Sequence, residues 1–439
     1  MTTTSRRKIV LVSIDPWIDT GDFRPFDYGL RRIAAAIVGS ERTSTEWEVH
    51  VLSRRDKDVA ALLREIRELE PEVVGLSTYV WSLQPFVEVA ASLRADPSPP
   101  VVILGGPSAR PTSFAREPLR SLARHIDALV VGDGEETVLE ILSLPRLDRA
   151  SLAGIEGVLT WGPLGWRGTR RTARAPLDAL PSPYQLGLVP PEATAHLEIF
   201  RGCPLSCAFC QWGRYDGERV ASADHLVREL SAIDRVGAQG VFLVDAGLNL
   251  NARAFRALVD AEQQVGLLAK VGLSCELYPS YVRREHLELL SRARSHVGIG
   301  IQSLDPSVLA GLDRPVTEIG KMEAVIEDVA GVAHVLLEVI VGLPGDSPEG
   351  FRRTLEWARA FGCGVNVYRC LVLPDALLDR ALEDEAFDYD PVTFSVLRAP
   401  GWSTADLERC CDWLAAESTR AGGAVIPGIW HFPRTRPGF

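Results

Sequence analysis

An α/β fold in two successive parallel-sheet units is what this sequence predicts, and three observations predict it. Short aliphatic, β-branched runs alternate with amphipathic helical patterns up to about residue 145. The same alternation resumes at Thr194 and continues to about residue 375. Between them stand the proline clusters Leu180-Pro-Ser-Pro-Tyr184 and Val189-Pro-Pro191, turn chemistry that marks a boundary. The expected organisation is a first unit over 1–145, a linker with a candidate hairpin over 146–193, a second unit over 194–375 and a carboxyl-terminal extension over 376–439.

In the first unit the strands are expected at Ile9–Ile14, Glu46–Leu52, Val73–Ser77, Val101–Leu104 and Ala128–Val131. Helical patterns fill Leu30–Val38, Val59–Leu69, Pro85–Arg94 and Glu136–Ser143. Continuous apolar strands separated by amphipathic helices indicate a parallel sheet covered on both faces. Five strands in this order suit a flavodoxin-like doubly wound sheet, which binds ligands outside the carboxyl ends of its strands. Those ends are rich in small residues: Ser77-Thr78-Tyr79-Val80-Trp81, Gly105-Gly106-Pro107 and Gly132-Asp133-Gly134-Glu135. Glycine lets a backbone approach a bulky ligand closely, and small hydroxyls bond amides or phosphate. In the linker, Gly154–Val158 and Gly165–Arg171 are placed to pair around Gly162-Pro163.

Composition removes several classes of function. The formal charge is −11, from 47 basic and 58 acidic residues, which leaves no electrostatic footprint for nucleic acid. No 18-residue apolar run is present, so no membrane span is expected. The amino-terminal apolar run Ile9-Val-Leu-Val12 is too short for a secretory signal, and a cytoplasmic location is expected. Of eight cysteines, Cys275, Cys363 and Cys370 lie in apolar strand-like runs and Cys410-Cys411 in a helical pattern. Packing suits all five, and a reducing compartment fits.

The other three cysteines form Arg201-Gly202-Cys203-Pro204-Leu205-Ser206-Cys207-Ala208-Phe209-Cys210, with spacing Cys-x3-Cys-x2-Cys. Three thiolates on one loop can hold three corners of an iron–sulfur cubane and leave one iron open. A structural zinc site is the alternative, but it closes with four ligands and usually pairs two Cys-x2-Cys knuckles; neither a second knuckle nor a His pair follows. The loop interrupts a βα series with strands at Ala195–Phe200, Gly240–Val244, Lys270–Cys275, His296–Ile301, His334–Val341 and Gly364–Val367.

With its aromatic residue at Phe209 and the apolar run before it, the cysteine motif resembles the signature of radical S-adenosylmethionine (SAM) enzymes. Gly300-Ile301-Gln302-Ser303 and Gly342-Leu343-Pro344-Gly345 are similar to later motifs of that family. With the glycine-rich strand ends upstream, the chain resembles the cobalamin-dependent branch. The resemblance implies a partial (β/α)6 barrel with chemistry at its strand ends. It also implies a [4Fe-4S] cluster on Cys203, Cys207 and Cys210, with SAM bound to the open iron. SAM contacts are expected from Phe209, Asp245, Glu276, Gln302 and Ser303, while Asn249 shapes its loop. Arg314, in Leu312-Asp-Arg314-Pro315, is similar to a family motif after the fourth strand. Glu338 is the candidate catalytic residue: on the barrel face it would meet SAM or substrate, on the outer face a helix arginine. Leu373-Pro374-Asp375-Ala376 departs from the Pro-Gly-Thr common in relatives.

For cobalamin, the resemblance points to Asp15, Trp17, Ser77, Thr78, Tyr79, Trp81, Gly105, Gly106, Pro107, Gly132, Gly134 and Glu135. Asp15-Pro16-Trp17 has tryptophan where histidine-ligating domains have Asp-x-His, so a histidine-off state is expected. Trp81, more than Tyr79, is the candidate to cover the lower cobalt face; packing is the alternative for both. Trp402 and Trp430-His431-Phe432 either close a substrate cavity or anchor the tail. His196, His225, His286 and His431 show no metal-ligand spacing.

The activity implied is C-methylation of a small metabolite or natural-product intermediate. A 5′-deoxyadenosyl radical would take hydrogen from the substrate, and methylcobalamin would supply the methyl group. The alternatives are cyclisation, rearrangement or oxidation without methyl transfer, or a non-catalytic cobalamin carrier or sensor. A small-molecule substrate and an external electron donor of flavodoxin or ferredoxin type are the expected partners.

Overall fold

The computed structural model describes residues 6–16, 24–212 and 218–436. The chain divides into two compact units, one built mainly on residues up to Ala193 and the other mainly on residues from Thr194.

Five strands of the first unit are parallel: β1 (Arg7–Ile14), β2 (Trp47–Arg54), β3 (Val73–Ser77), β4 (Val101–Gly105) and β5 (Ala128–Val130). Their order, β2-β1-β3-β4-β5, is the flavodoxin-like one, with the reversal at β1/β3. β1 is buried from Ile9 through Ile14 because helices cover both sides of a central parallel strand, so its sequence is a run rather than an alternation. Ile9 and Leu11 enter a core with Ala34, Ile37, Trp47 and Ile141.

The linker segment is part of this sheet. β6 (Val158–Gly162) pairs antiparallel with β5, and β7 (Gly165–Gly168) with β6, extending the sheet to seven strands. The strands are displaced from those expected at Gly154–Val158 and Gly165–Arg171. The cause is a link that local sequence does not reveal: Val131 N–H donates to the Gly157 carbonyl at 2.8 Å, which seats Val158 as the first residue of β6.

The second unit holds six parallel strands: β8 (Ala195–Leu197), then β11 (Val241–Leu243), β12 (Leu273–Leu277), β13 (Ser295–Gln302), β14 (His334–Val341) and β15 (Gly364–Arg369). Between β8 and β11, β9 (Phe200–Arg201) pairs antiparallel with β10 (Arg219–Val220). β12 begins later than expected. Gly266, in the left-handed region at φ +71°, ends the preceding helix, a short helix follows over Leu267–Val271, and Gly272 at φ +95° turns the chain into the strand. The extension adds a small pair, β16 (Asp388–Tyr389) with β17 (Val396–Arg398), and a hairpin, β18 (Val425–Ile426) with β19 (Ile429–Phe432). β19 pairs antiparallel with β15 and so covers that edge of the main sheet.

β14 shows how the second sheet is dressed. Val335, Leu337, Val339 and Val341 are buried, whereas Leu336, Glu338 and Ile340 on the opposite, inner face keep partial exposure. Among the described residues no helix is long and apolar enough to cross a membrane.

Candidate active site at the strand ends

The cysteine loop is braced before it is reached. Asp245, at the end of β11, is buried, and its carboxylate accepts from the backbone N–H of Ile199 and Phe200 at 2.7–3.2 Å. Burial raises the Asp245 carboxyl, and these backbone donors counter it. These bonds tie Asp245, an expected SAM contact, to the chain that leads into the motif. Gly202, at φ +110°, turns that chain into the loop. Cys210 N–H bonds the Cys207 carbonyl at 3.0 Å, and Ala208 N–H bonds Leu312 O at 2.8 Å. The Gln211 side chain reaches Pro374 O at 2.9 Å. Cys207 is buried, and Cys203 and Cys210 are partly exposed. Burial pushes the Cys203 thiol up to about 11, and a bound metal would favour the thiolate there.

Arg314 comes next to these thiols. Its Nη1 lies 3.9 Å from Cys207 Sγ, and Nη2 bonds the Gly300 carbonyl. Its guanidinium stands 5.1 Å from the centre of the Tyr278 ring and 5.9 Å from that of Phe209. Phe209 is thus tied to the segment after β13.

The inner face of the sheet beside this loop is a polar trough. Gly298 of β13 pairs with Glu276 of β12, and Gly300 with Glu338 of β14. A Cβ at Gly298 would overlap the Glu276 carboxylate. A Cβ at Gly300 would come within 2.5 Å of the Gln302 side-chain nitrogen. The two glycines therefore clear a groove into which longer side chains lean. The ladder shifts register between Gly300 and Gln302, where Gln302 takes φ +66°, and this bulge re-aims its side chain. Gln302 Oε1 is buried without a hydrogen-bond partner, and the half-buried Glu276 carboxylate makes no hydrogen bond among the described residues. Burial and the charge of Glu338 push Glu276 up to about 8. Glu338 is thus on the inner face, accepting from the Tyr368 hydroxyl at 3.0 Å, and among the described residues no helix arginine bonds it. Partnerless acceptors at a strand end call for a ligand that brings donors.

Ser303 and Asn249 serve the frame. The Ser303 hydroxyl donates to Asp346 at 3.0 Å, fastening the end of β13 to the turn after β14. Asn249 exchanges two bonds with the Tyr278 backbone, at 2.8 and 2.9 Å.

In the first unit, the predicted residues gather at the carboxyl ends of β1, β3, β4 and β5, but their duties differ. Thr78 is buried and donates to Leu76 O, and its own backbone exchanges bonds with Gly105 and Ser108. Gly106, at φ +100°, lies so close to Thr78 that a Cβ would sit 2.8 Å from its carbonyl oxygen. Gly132, at φ +96°, faces open space. Tyr79 stacks on Trp81, ring centres 4.5 Å apart, and Trp81 Nε1 donates to Ile14 O at 2.9 Å. Two of the expected cobalamin residues also pack against the neighbouring helix. Gly134 makes room for Ile33 of the neighbouring helix, and Glu135 is buried 3.7 Å from Arg32. Trp17 lies outside the described residues. Ser13, Asp15, Asp27, Arg31, Ser53 and Arg54 help line a cleft of about 230 Å³ at the ends of β1 and β2. The Ser13 hydroxyl is buried there without a partner among the described residues, and Asp15 is pushed up to about 6 by burial and by Asp27.

A flavodoxin-like sheet with glycine-lined ends thus precedes, along the chain, a set of six parallel strands whose first runs into a three-cysteine loop. The comparisons place the chain more closely. The radical SAM superfamily matches residues 197–374, and the B12 binding domain matches residues 24–142. The chain carries a radical SAM domain and a B12-binding domain, whose cofactors are a [4Fe-4S] cluster with SAM, and cobalamin. It is 27% identical over 375 residues to 2-(S-pantetheinyl)-carbapenam-3-carboxylate methyltransferase of Streptantibioticus cattleyicolor, covering 77% of this chain and 54% of that protein. It is 25% identical to the cobalamin-dependent radical SAM methyltransferase TokK of Streptomyces tokunonensis, over 80% of this chain and 55% of that one. The chain thus spans about half the length of these curated relatives. In fold it is similar to the radical SAM methyltransferase TsrM of Kitasatospora setae, with a TM-score of 0.70 at 16% identity, over 93% of this chain and 89% of that one. Its fold is also similar to that of the cobalamin-dependent enzyme OxsB, with a TM-score of 0.69 at 12% identity, over 95% and 67% of the two chains.

Proposed function

We propose that this protein is a cobalamin-dependent radical SAM C-methyltransferase acting on a small metabolite or natural-product intermediate. The observation that carries the reading is the convergence, at one end of the second sheet, of a three-cysteine loop with acceptors that have no partner. Cys203, Cys207 and Cys210 are the cluster ligands. Glu276 and Gln302, with Glu338 beside them, take the hydroxyl and ammonium donors of SAM, while Arg314 and Phe209 border the cluster side. When bound, the cofactors supply reductive cleavage of SAM and a transferable methyl group. The residues of this chain hold the reacting groups in place and keep water out. The methyl transfer itself rests on the similarity to enzymes named as methyltransferases.

In the first unit, Ser77, Thr78, Gly105, Gly106, Pro107 and Gly132 are the corrin-facing set, with Ser13 and Asp15 in the adjoining cleft. Cobalamin binds histidine-off, and the stacked Tyr79–Trp81 pair covers its lower face. The electron comes from an external flavodoxin- or ferredoxin-type donor.

The test is turnover by anaerobically reconstituted enzyme with cobalamin, reductant, SAM and a substrate panel that includes carbapenam carboxylates and indoles. The expected result is 5′-deoxyadenosine and S-adenosylhomocysteine together, with a product heavier by one methyl group. 5′-Deoxyadenosine with an unmethylated product would support rearrangement or oxidation instead.

A further inference from the structure

β15 and β19 carry a hydrogen-bond chain behind Glu338. His431 of β19 pairs with Asn366 of β15, and its Nδ1 lies 2.9 Å from Asn366 Oδ1. Asn366 Nδ2 donates to the Tyr368 hydroxyl at 3.1 Å, and that hydroxyl donates to Glu338 Oε1 at 3.0 Å. The chain has a single polarity. An amide nitrogen can only donate, so the Tyr368 oxygen accepts from Asn366 and its own proton points at Glu338. The receiving oxygen, Oε1, therefore carries no proton, and because a charged acceptor binds this donor more strongly the bond favours the ionised carboxyl. At the far end, Asn366 Oδ1 needs a donor, which requires the His431 proton on Nδ1. With Nδ1 bare, the amide would turn over and the whole chain would reverse, leaving Glu338 to bring a proton of its own.

Three groups face Glu338 from the neighbouring elements: Glu276 of β12, Arg314 from the segment after β13, and Tyr368 of β15. Burial raises the Glu338 carboxyl, while the Tyr368 bond and the charge of Arg314 lower it. Of these, Tyr368 is the one whose direction is set from outside the six parallel strands, by a residue on the antiparallel strand of the extension.

We propose that Tyr368, held by Asn366 and His431, is a positioning residue that keeps Glu338 a bare, oriented carboxylate towards SAM, so that β19 completes the SAM site. The proposal rests on the assignment of the trough to SAM. A hydrogen bond to a charged group is commonly worth about a factor of ten in an equilibrium. Removing the donor makes the carboxylate harder to form, so binding that needs it begins at higher pH.

The experiment measures SAM dissociation constants by equilibrium dialysis of the anaerobically reconstituted full chain, between about pH 6 and about pH 9. Tyr368→Phe is expected to weaken SAM roughly tenfold at the acid end and to move the acid limb up by about one pH unit. His431→Leu should move the limb the same way by less. His431→Gln, whose amide can still donate to Asn366, should keep the wild-type profile. The His431 pair carries the test if Tyr368→Phe does not fold. Wild-type profiles in Tyr368→Phe and His431→Leu would overturn the proposal while leaving the SAM site intact. A cluster-loaded wild type that binds no SAM would overturn the site assignment and this proposal with it.

Discussion

Gly298 owes its identity to a neighbour on another strand. Any Cβ there would overlap the Glu276 carboxylate, which must then leave the trough or strain the strand. Gly298→Ala is therefore expected to cost about 1–3 kcal/mol of stability and to weaken SAM binding, read by thermal unfolding and equilibrium dialysis. Unchanged SAM affinity would show that Glu276 does not bear on the ligand. The residues that sequence revealed here are those with local signatures: the cysteine spacing, and Gln302-Ser303 at the end of β13. Asp245 and Ser303 also carry bonds to the frame that their local sequence does not reveal. An acid at a strand end reads the same whether it faces a ligand or braces a backbone N–H two strands of sequence earlier. Tyr368 and Asn366 gave no signal, because their roles exist only across the β14–β15 ladder.

The elements legible in the sequence are those made by continuous aliphatic runs, such as β1 and β14, and by helices opened with a capping side chain. Asn251, for example, accepts from Arg253 and Ala254 N–H at 3.1 and 3.0 Å. The elements that escaped are short and defined by pairing. β18 and β19 have two and four residues, too few for a period, and the expected hairpin of β6 and β7 joins the main sheet only through the edge of β5. The extension also locks the turn after β14. Trp402 is 2% exposed, its Nε1 donates to Leu343 O at 3.0 Å, and Gly345 N–H bonds Pro400 O at 2.7 Å. Of the two readings open for Trp402, this is the anchor. Trp402→Ala is expected to lose about 3–5 kcal/mol and Trp402→Phe about 1 kcal/mol, measured by urea unfolding. A loss under about 1 kcal/mol for Trp402→Ala would refute the anchoring role.

At the scale of the whole molecule, the two βα series and the proline-rich boundary were visible because parallel sheets buried on both faces write themselves as apolar runs. What the runs do not carry is the chemistry. That comes from a cysteine loop, a cleared glycine groove with unpartnered acceptors, and the small residues at the ends of β3, β4 and β5. In the reaction proposed here, SAM serves cobalamin as a methyl source as well as the cluster as a radical source. It is tested most directly by giving the reconstituted, reduced enzyme SAM with a deuterated methyl group and analysing the bound cobalamin by mass spectrometry. The account predicts labelled methyl on the cobalamin, matched by S-adenosylhomocysteine. Enzyme that binds SAM and cleaves it to 5′-deoxyadenosine while its cobalamin stays unlabelled would contradict it.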